Sequence, residues 1–110
     1  MITGLGDEKE EGVLEFLHAL KGLPIDWEIR DYWEGDRCAI GVASRTQPSR
    51  LAYVSCWAQP PNHFFVELEE EALVPDEYLV IARLESSPMD VAIAVVERHL
   101  SSTNPENSGR

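Results

Sequence analysis

The hydrophobic period of the chain changes at Gly22–Pro24, and that change constrains the fold more than any other feature. Before it, Val13, Phe16, Leu17 and Leu20 fall at i, i+3, i+4 and i+7, the stripe of an amphipathic helix. Asp7 is placed to cap that helix, and Glu8, Glu10 and Glu11 complement its N-terminal dipole. Gly22 and Pro24 stop it, so the spacing predicts a helix over 7–21 with His18 at its solvent edge. Beyond Pro24 the period is two. Trp27, Ile29, Asp31 and Trp33 point one way, and Glu28, Arg30, Tyr32 and Glu34 the other.

Short period-two runs then follow one another, separated by turn residues. Glu34-Gly35-Asp36 reads as a tight turn. Cys38, Ile40, Val42 and Ser44 alternate with Ala39, Gly41 and Ala43. Thr46 to Ser49 is the next turn and Leu51 to Trp57 the next strand. Pro60 and Pro61 break it, because proline cannot donate to a ladder, and His63 to Glu69 makes a fourth. Residues 70–77 read as an acidic loop containing Pro75. The run Tyr78 to Glu85 is open between strand and helix, with strand favoured by Val80 and Ile81. Ser87 as N-cap, Pro88 at N1 and Asp90 at N3 then start a helix. Val91 to Leu100 is apolar around most of its circumference, which predicts that it is largely buried. The polar tail 101–110 is expected to be disordered. The sum is one α+β domain over 1–110, ordered over about 7–100. A four- to five-stranded antiparallel meander lies between an N-terminal and a C-terminal helix.

Composition excludes more than it selects. A chain of 110 residues has room for one core, and no apolar run approaches the ~18 residues of a membrane span. The segment MITGLGDEKEEG is acidic where a signal peptide is basic and then greasy. The expectation is a cytoplasmic protein whose two cysteines are free thiols. The net charge of −11 disfavours nucleic acid and anionic lipid and favours a basic protein partner. The charge is also segregated. Asp7 to Asp36 holds ten acids and three bases, Arg37 to Val66 three arginines and no acid, and Glu67 to Glu77 six acids and no base. Such blocks make a patchy surface.

Few residues suggest bond-making chemistry. His18, His63 and His99 lie on separate elements without metal-ligand spacing. No G-x-S-x-G elbow, glycine-rich phosphate loop or H-E-x-x-H is present. Glu67 and Glu69 share a strand face as a potential carboxylate pair, yet two surface glutamates are ordinarily solvated. No cofactor, metal or catalytic residue is expected. A hairpin centred on residues 46–49 sets Cys38 opposite Cys56, either as two small core side chains or as a redox switch or metal half-site.

The surface is more informative. Glu67, Glu69, Glu70, Glu71, Asp76 and Glu77 gather at a strand end and the loop after it, as a solvated loop, as a docking patch for an Arg/Lys-rich surface, or as a divalent-cation site, the last without EF-hand order or a glycine at the turn. Tyr32, Tyr53, Trp57 and Phe65 have the parity opposite to a core face, over the small residues Ala39, Gly41 and Ala43, with the third strand open because Ala52, Val54 and Cys56 are an equal candidate for its core set. If each sheet face carries one helix, these aromatics are buried. If one face is bare, they form an aromatic floor rimmed by Glu28, Glu67 and Glu69, the composition of a binding hot spot. Asp31 either pairs with an arginine or marks its face as partly open.

In size, acidity and helix–sheet–helix order over 7–100, the chain resembles bacterial immunity proteins of polymorphic-toxin systems. The resemblance implies a non-catalytic inhibitor that occludes a basic toxin. Leu20-Lys21-Gly22-Leu23-Pro24 running into a strand also resembles the start of type III secretion chaperones, which are acidic and dimeric. The dimerisation helix of that family would fall between Trp57 and Glu77, where this chain holds Pro60, Pro61 and a strand-like FFVELE. A small adaptor or ligand-binding domain has the same outline. Monomer and dimer are both open.

Overall fold

A computed structural model describes residues 9–32, 35–74 and 77–101. The elements are α1 (Glu11–Lys21), β1 (Trp27–Asp31), β2 (Ala39–Ser44), β3 (Arg50–Ser55), β4 (His63–Glu71), β5 (Tyr78–Pro88) and α2 (Met89–Ser101). The strands form one antiparallel sheet in the order β1-β2-β3-β4-β5, the α+β meander expected from the turn spacing. Residues 78–85 are strand.

Both helices lie on one face of the sheet. Val13, Phe16, Leu17 and Leu20 of α1 join Ala92, Val96 and Leu100 of α2 in a single cluster, together with Ile40, Val42, Ala52, Val54, Phe64 and Val66 of the central strands. Those strand residues are cross-strand neighbours of one parity: Ile40 faces Val54, which faces Val66. The Phe16 and Phe64 rings pack at 5.5 Å between centroids. At Gly12 an added Cβ would stand 3.3 Å from Cys56 Cβ, so the absent side chain lets α1 settle onto the sheet. Burying each large side chain of this layer stabilises by about 1.5–3 kcal/mol.

The ends of the helices differ from expectation. Glu10 is extended and makes no side-chain cap. Its N–H donates instead to the Arg37 carbonyl at 2.7 Å, so α1 begins at Glu11. Asp7 and Glu8 lie outside the described residues, as do residues 102–110 of the tail. Pro88 ends β5 and α2 starts at Met89, because the β4–β5 ladder runs to the pair His63–Pro88. α2 buries one stripe, Ala92, Val96, His99 and Leu100, and leaves Val91 exposed. Its apolar circumference exceeds the single sheet face available to cover it.

Lys9 anchors the segment before α1. It is 3 % exposed, and its Nζ donates to the carbonyl oxygens of Tyr32, Asp36 (2.6 Å) and Ala39 (2.7 Å). The ammonium also sits 4.3 Å from the Tyr32 ring centroid.

Candidate functional site

Among the described residues no helix covers the second face of the sheet, and its side chains follow from the register. Glu28, Ala43, Leu51, Glu69 and Val80 make one row across it; Asp31, Gly41, Tyr53, Glu67 and Arg83 make the next. Tyr53 and Phe65 meet edge to face, centroids 6.0 Å apart at 74°. At the end of this floor the chain turns sharply. Ala58 and Asn62 take positive φ of 57° and 66°, and Ser55 Oγ accepts the Trp57 N–H at 3.1 Å. The turn leaves Trp57 73 % exposed.

Tyr53, Phe65 and Trp57 line a groove of about 640 Å³ with Ser55, Ala58, Gln59, Asp36 and Glu85. Gln59 Nε2 donates to the Glu85 carbonyl at 3.1 Å, while its buried Oε1 has no partner among the described residues. A smaller hollow of about 120 Å³ lies between Asp31, Gly41, Leu51, Ala52, Tyr53 and Glu69.

The carboxylates of this face crowd one another. Burial, then the charges of Glu67 and Asp31, hold the Glu69 carboxyl above its ordinary range. Burial is also the main cause that pushes the Tyr53 phenol up, with Asp36 and Glu67 adding to it. Arg83 offsets part of the charge, with Nη2 2.8 Å and Nε 2.9 Å from Glu67 Oε2. Glu28 is shared by Arg30 and Arg45 at 3.4 and 3.5 Å. No ion pair of Asp31 is found among the described residues, and Asp31 lies on the open face.

The aromatic and acidic residues singled out from sequence do not all assemble here. Tyr53, Phe65, Trp57, Glu67 and Glu69 do. Tyr32 does not. The ladder shifts by one residue between Ile29 and Asp31, so Asp31 moves to the open face and Tyr32 packs against the helix-side core. Trp33 and Glu34 of the same run lie outside the described residues. The acidic run is likewise divided. β4 extends to Glu71, and its pleat turns Glu70 to the helix side, 3.5 Å from Arg50. Glu71 and Glu77 are exposed near the hairpin end; Asp76 lies outside the described residues. Asp36, Gln59 and Glu85 of the groove had no sequence signal, since two lie in turns and the third follows irregular pairing in β5.

The other constellations sit on the helix side. Cys56 N–H donates to the Cys38 carbonyl at 2.9 Å, and both thiols are free and half-buried. Burial first, then Cys38, pushes the Cys56 thiol up to about 11, which disfavours the reactive thiolate. His99 is buried at the end of α2 with Nε2 2.9 Å from the Glu69 carbonyl oxygen. Among the described residues no three His, Cys, Asp or Glu side chains converge as metal ligands. No helix there is long and apolar enough to cross a membrane. The stretch between Trp57 and Glu77, where a secretion chaperone carries its dimerisation helix, contains β4. Comparison of the chain with family models, curated proteins and solved structures returned no match.

Proposed function

We propose that the chain is a non-catalytic protein-binding module, an immunity-type inhibitor that seats a basic toxin on its open sheet face. The observation that carries this reading is the aromatic groove of Tyr53, Phe65 and Trp57 set between Asp36 and Glu85 and continuous with the Asp31, Glu67, Glu69 cluster. Aromatic faces and carboxylates together suit a guanidinium or ammonium, which stacks on the first and hydrogen-bonds the second. The Glu69 carboxyl, held above its ordinary range by burial and then by the charges of Glu67 and Asp31, is costly in the free molecule and is relieved when a cation arrives.

That cost gives the test its discriminating power. Capture from the source cell yields the partner, and its affinity is then measured against variants by calorimetry. Trp57→Ala weakens binding by about 2 kcal/mol, roughly thirtyfold. Glu69→Gln weakens binding while leaving the fold at least as stable, because it removes a carboxylate whose charge is penalised by burial and then by Glu67 and Asp31. Glu11→Lys and Glu15→Lys, on the helix layer, leave affinity largely unchanged. An acidic partner would overturn the reading, as would binding indifferent to both open-face changes.

A further inference from the structure

We propose that β5 is the interface of a symmetric dimer, in which two copies pair antiparallel about Val80 and double the five-stranded sheet. This edge adjoins the open face, whose rows end on it at Val80 and Arg83, but its pairing surface is the free backbone of β5.

The two edges of the sheet are guarded unequally. β1 is short, interrupted at Arg30, and carries Glu28, Arg30 and Asp31. Short, charged edges resist pairing with another chain. β5 is eleven residues long; its ladder to β4 shifts at Ile81 and again between Leu84 and Ser87, yet Tyr78, Leu79, Val80 and Ile81 are 38–59 % exposed. With Leu73 and Val74 at the hairpin end, they make six of the eight large hydrophobics exposed among the described residues. A patch of that kind on a long edge marks an interaction site.

The order of residues identifies the occupant. Residues 77–83 read Glu-Tyr-Leu-Val-Ile-Ala-Arg. Antiparallel pairing about Val80 sets Glu77 of each copy opposite Arg83 of the other, Tyr78 opposite Ala82 and Leu79 opposite Ile81. Opposite charges close both ends of an apolar middle about 17 Å long. Other registers are poorer. Centred on Ile81, Glu77 would oppose Glu85. Centred on Leu84, Arg83 meets Glu85, but Tyr78 and Leu79 overhang and Pro88 opposes Val80. Arg83 engages Glu67 through Nε and Nη2 and has a donor nitrogen to spare. Residues 77–83 balance one acid against one base, so unlike the open face this stretch has no bias toward a basic partner. Because the same edge is used twice, only the guarded β1 edges remain outward and assembly stops at two copies.

Light scattering and sedimentation across a concentration series test the proposal, with circular dichroism confirming that each variant folds. The wild-type chain runs at twice its 12.4 kDa mass. Glu77→Arg and Arg83→Glu each place like charges at both ends and weaken the dimer by roughly tenfold or more. Mixing those two variants restores it, because the introduced arginine then faces the introduced glutamate and the native pair is kept at the other end. Val80→Lys sets two ammonium groups face to face at the centre and gives a monomer. A wild-type monomer at every accessible concentration overturns the proposal. So does a Val80→Lys dimer, or a mixture that recovers nothing. A monomer whose β5 captures a foreign strand assigns the edge to another protein and overturns it equally.

Discussion

Lys9 carries a charge where charge is expensive, and three backbone carbonyls with the Tyr32 ring make that tolerable. Removing the ammonium strands those carbonyls in a buried setting. Lys9→Met is therefore expected to destabilise the fold by about 2–4 kcal/mol, measured as a fall in the urea midpoint. Loss below ~1 kcal/mol would mean that water replaces the ammonium. His99 makes a second prediction, in pH. Burial, the largest cause, holds its imidazole below the ordinary 6.5, so the unfolded chain takes up a proton that the folded chain refuses. Its stabilising contribution is complete above 6.5 and is lost as pH falls through the lowered value. Glu69 acts in the opposite sense. Its carboxyl is held above the ordinary 4.5, so its contribution is lost as pH rises through the raised value. Urea midpoints followed from about pH 7.5 to 5.5 should fall for the wild type and fall less for His99→Gln. Parallel curves would clear the imidazole of the effect.

At the scale of elements, what was legible tracks where one physical signal acted alone. The α1 stripe buries as spaced, because helix periodicity and a single covered face agree. The hairpin register that faces Cys38 with Cys56 was legible from the turn at 46–49, since short loops leave little freedom in pairing. Elsewhere, signals conflicted. Small residues made β2 buried on both faces, so alternation in that strand did not reveal which face was bare. Two acids past Glu69 argued for a loop, as glutamate is depleted in strands; pairing of Glu70 with Leu79 and Glu71 with Tyr78 carries β4 onward. That extension sends Glu70 to the helix side, which a loop would not have done. The irregularity at Arg30 leaves no compositional mark, yet it alone exchanges the faces of Asp31 and Tyr32. Gly12 shows the same limit: a glycine inside a helical pattern gave no hint that Cys56 would lie 3.3 Å from its missing Cβ. The groove depended on such features, and only its aromatic floor was visible in advance.

At the scale of the molecule, one net charge bears on two surfaces in opposite directions. Each chain carries −11, so two copies approaching along β5 repel, and their association is driven by apolar strand pairing with a local Glu77–Arg83 match. A basic partner approaching the open face is attracted by the same field. Raising sodium chloride from about 50 to 500 mM shortens the screening length from roughly 14 to 4 Å. Repulsion between whole chains acts over longer distances than the ion pairs at the strand ends, so it is screened first. The dimer is therefore expected to tighten with salt over this range, read as a fall in the sedimentation midpoint concentration. The partner's association rate is expected to drop by roughly ten- to a hundredfold, with a smaller change in its dissociation rate. The opposition of sign also separates the surfaces experimentally, since Val80→Lys should abolish the first response, whereas Trp57→Ala should weaken partner binding and leave the first response in place. If both associations weaken together with salt, strand pairing on β5 is as electrostatic as the open face, and the division of labour between them does not hold.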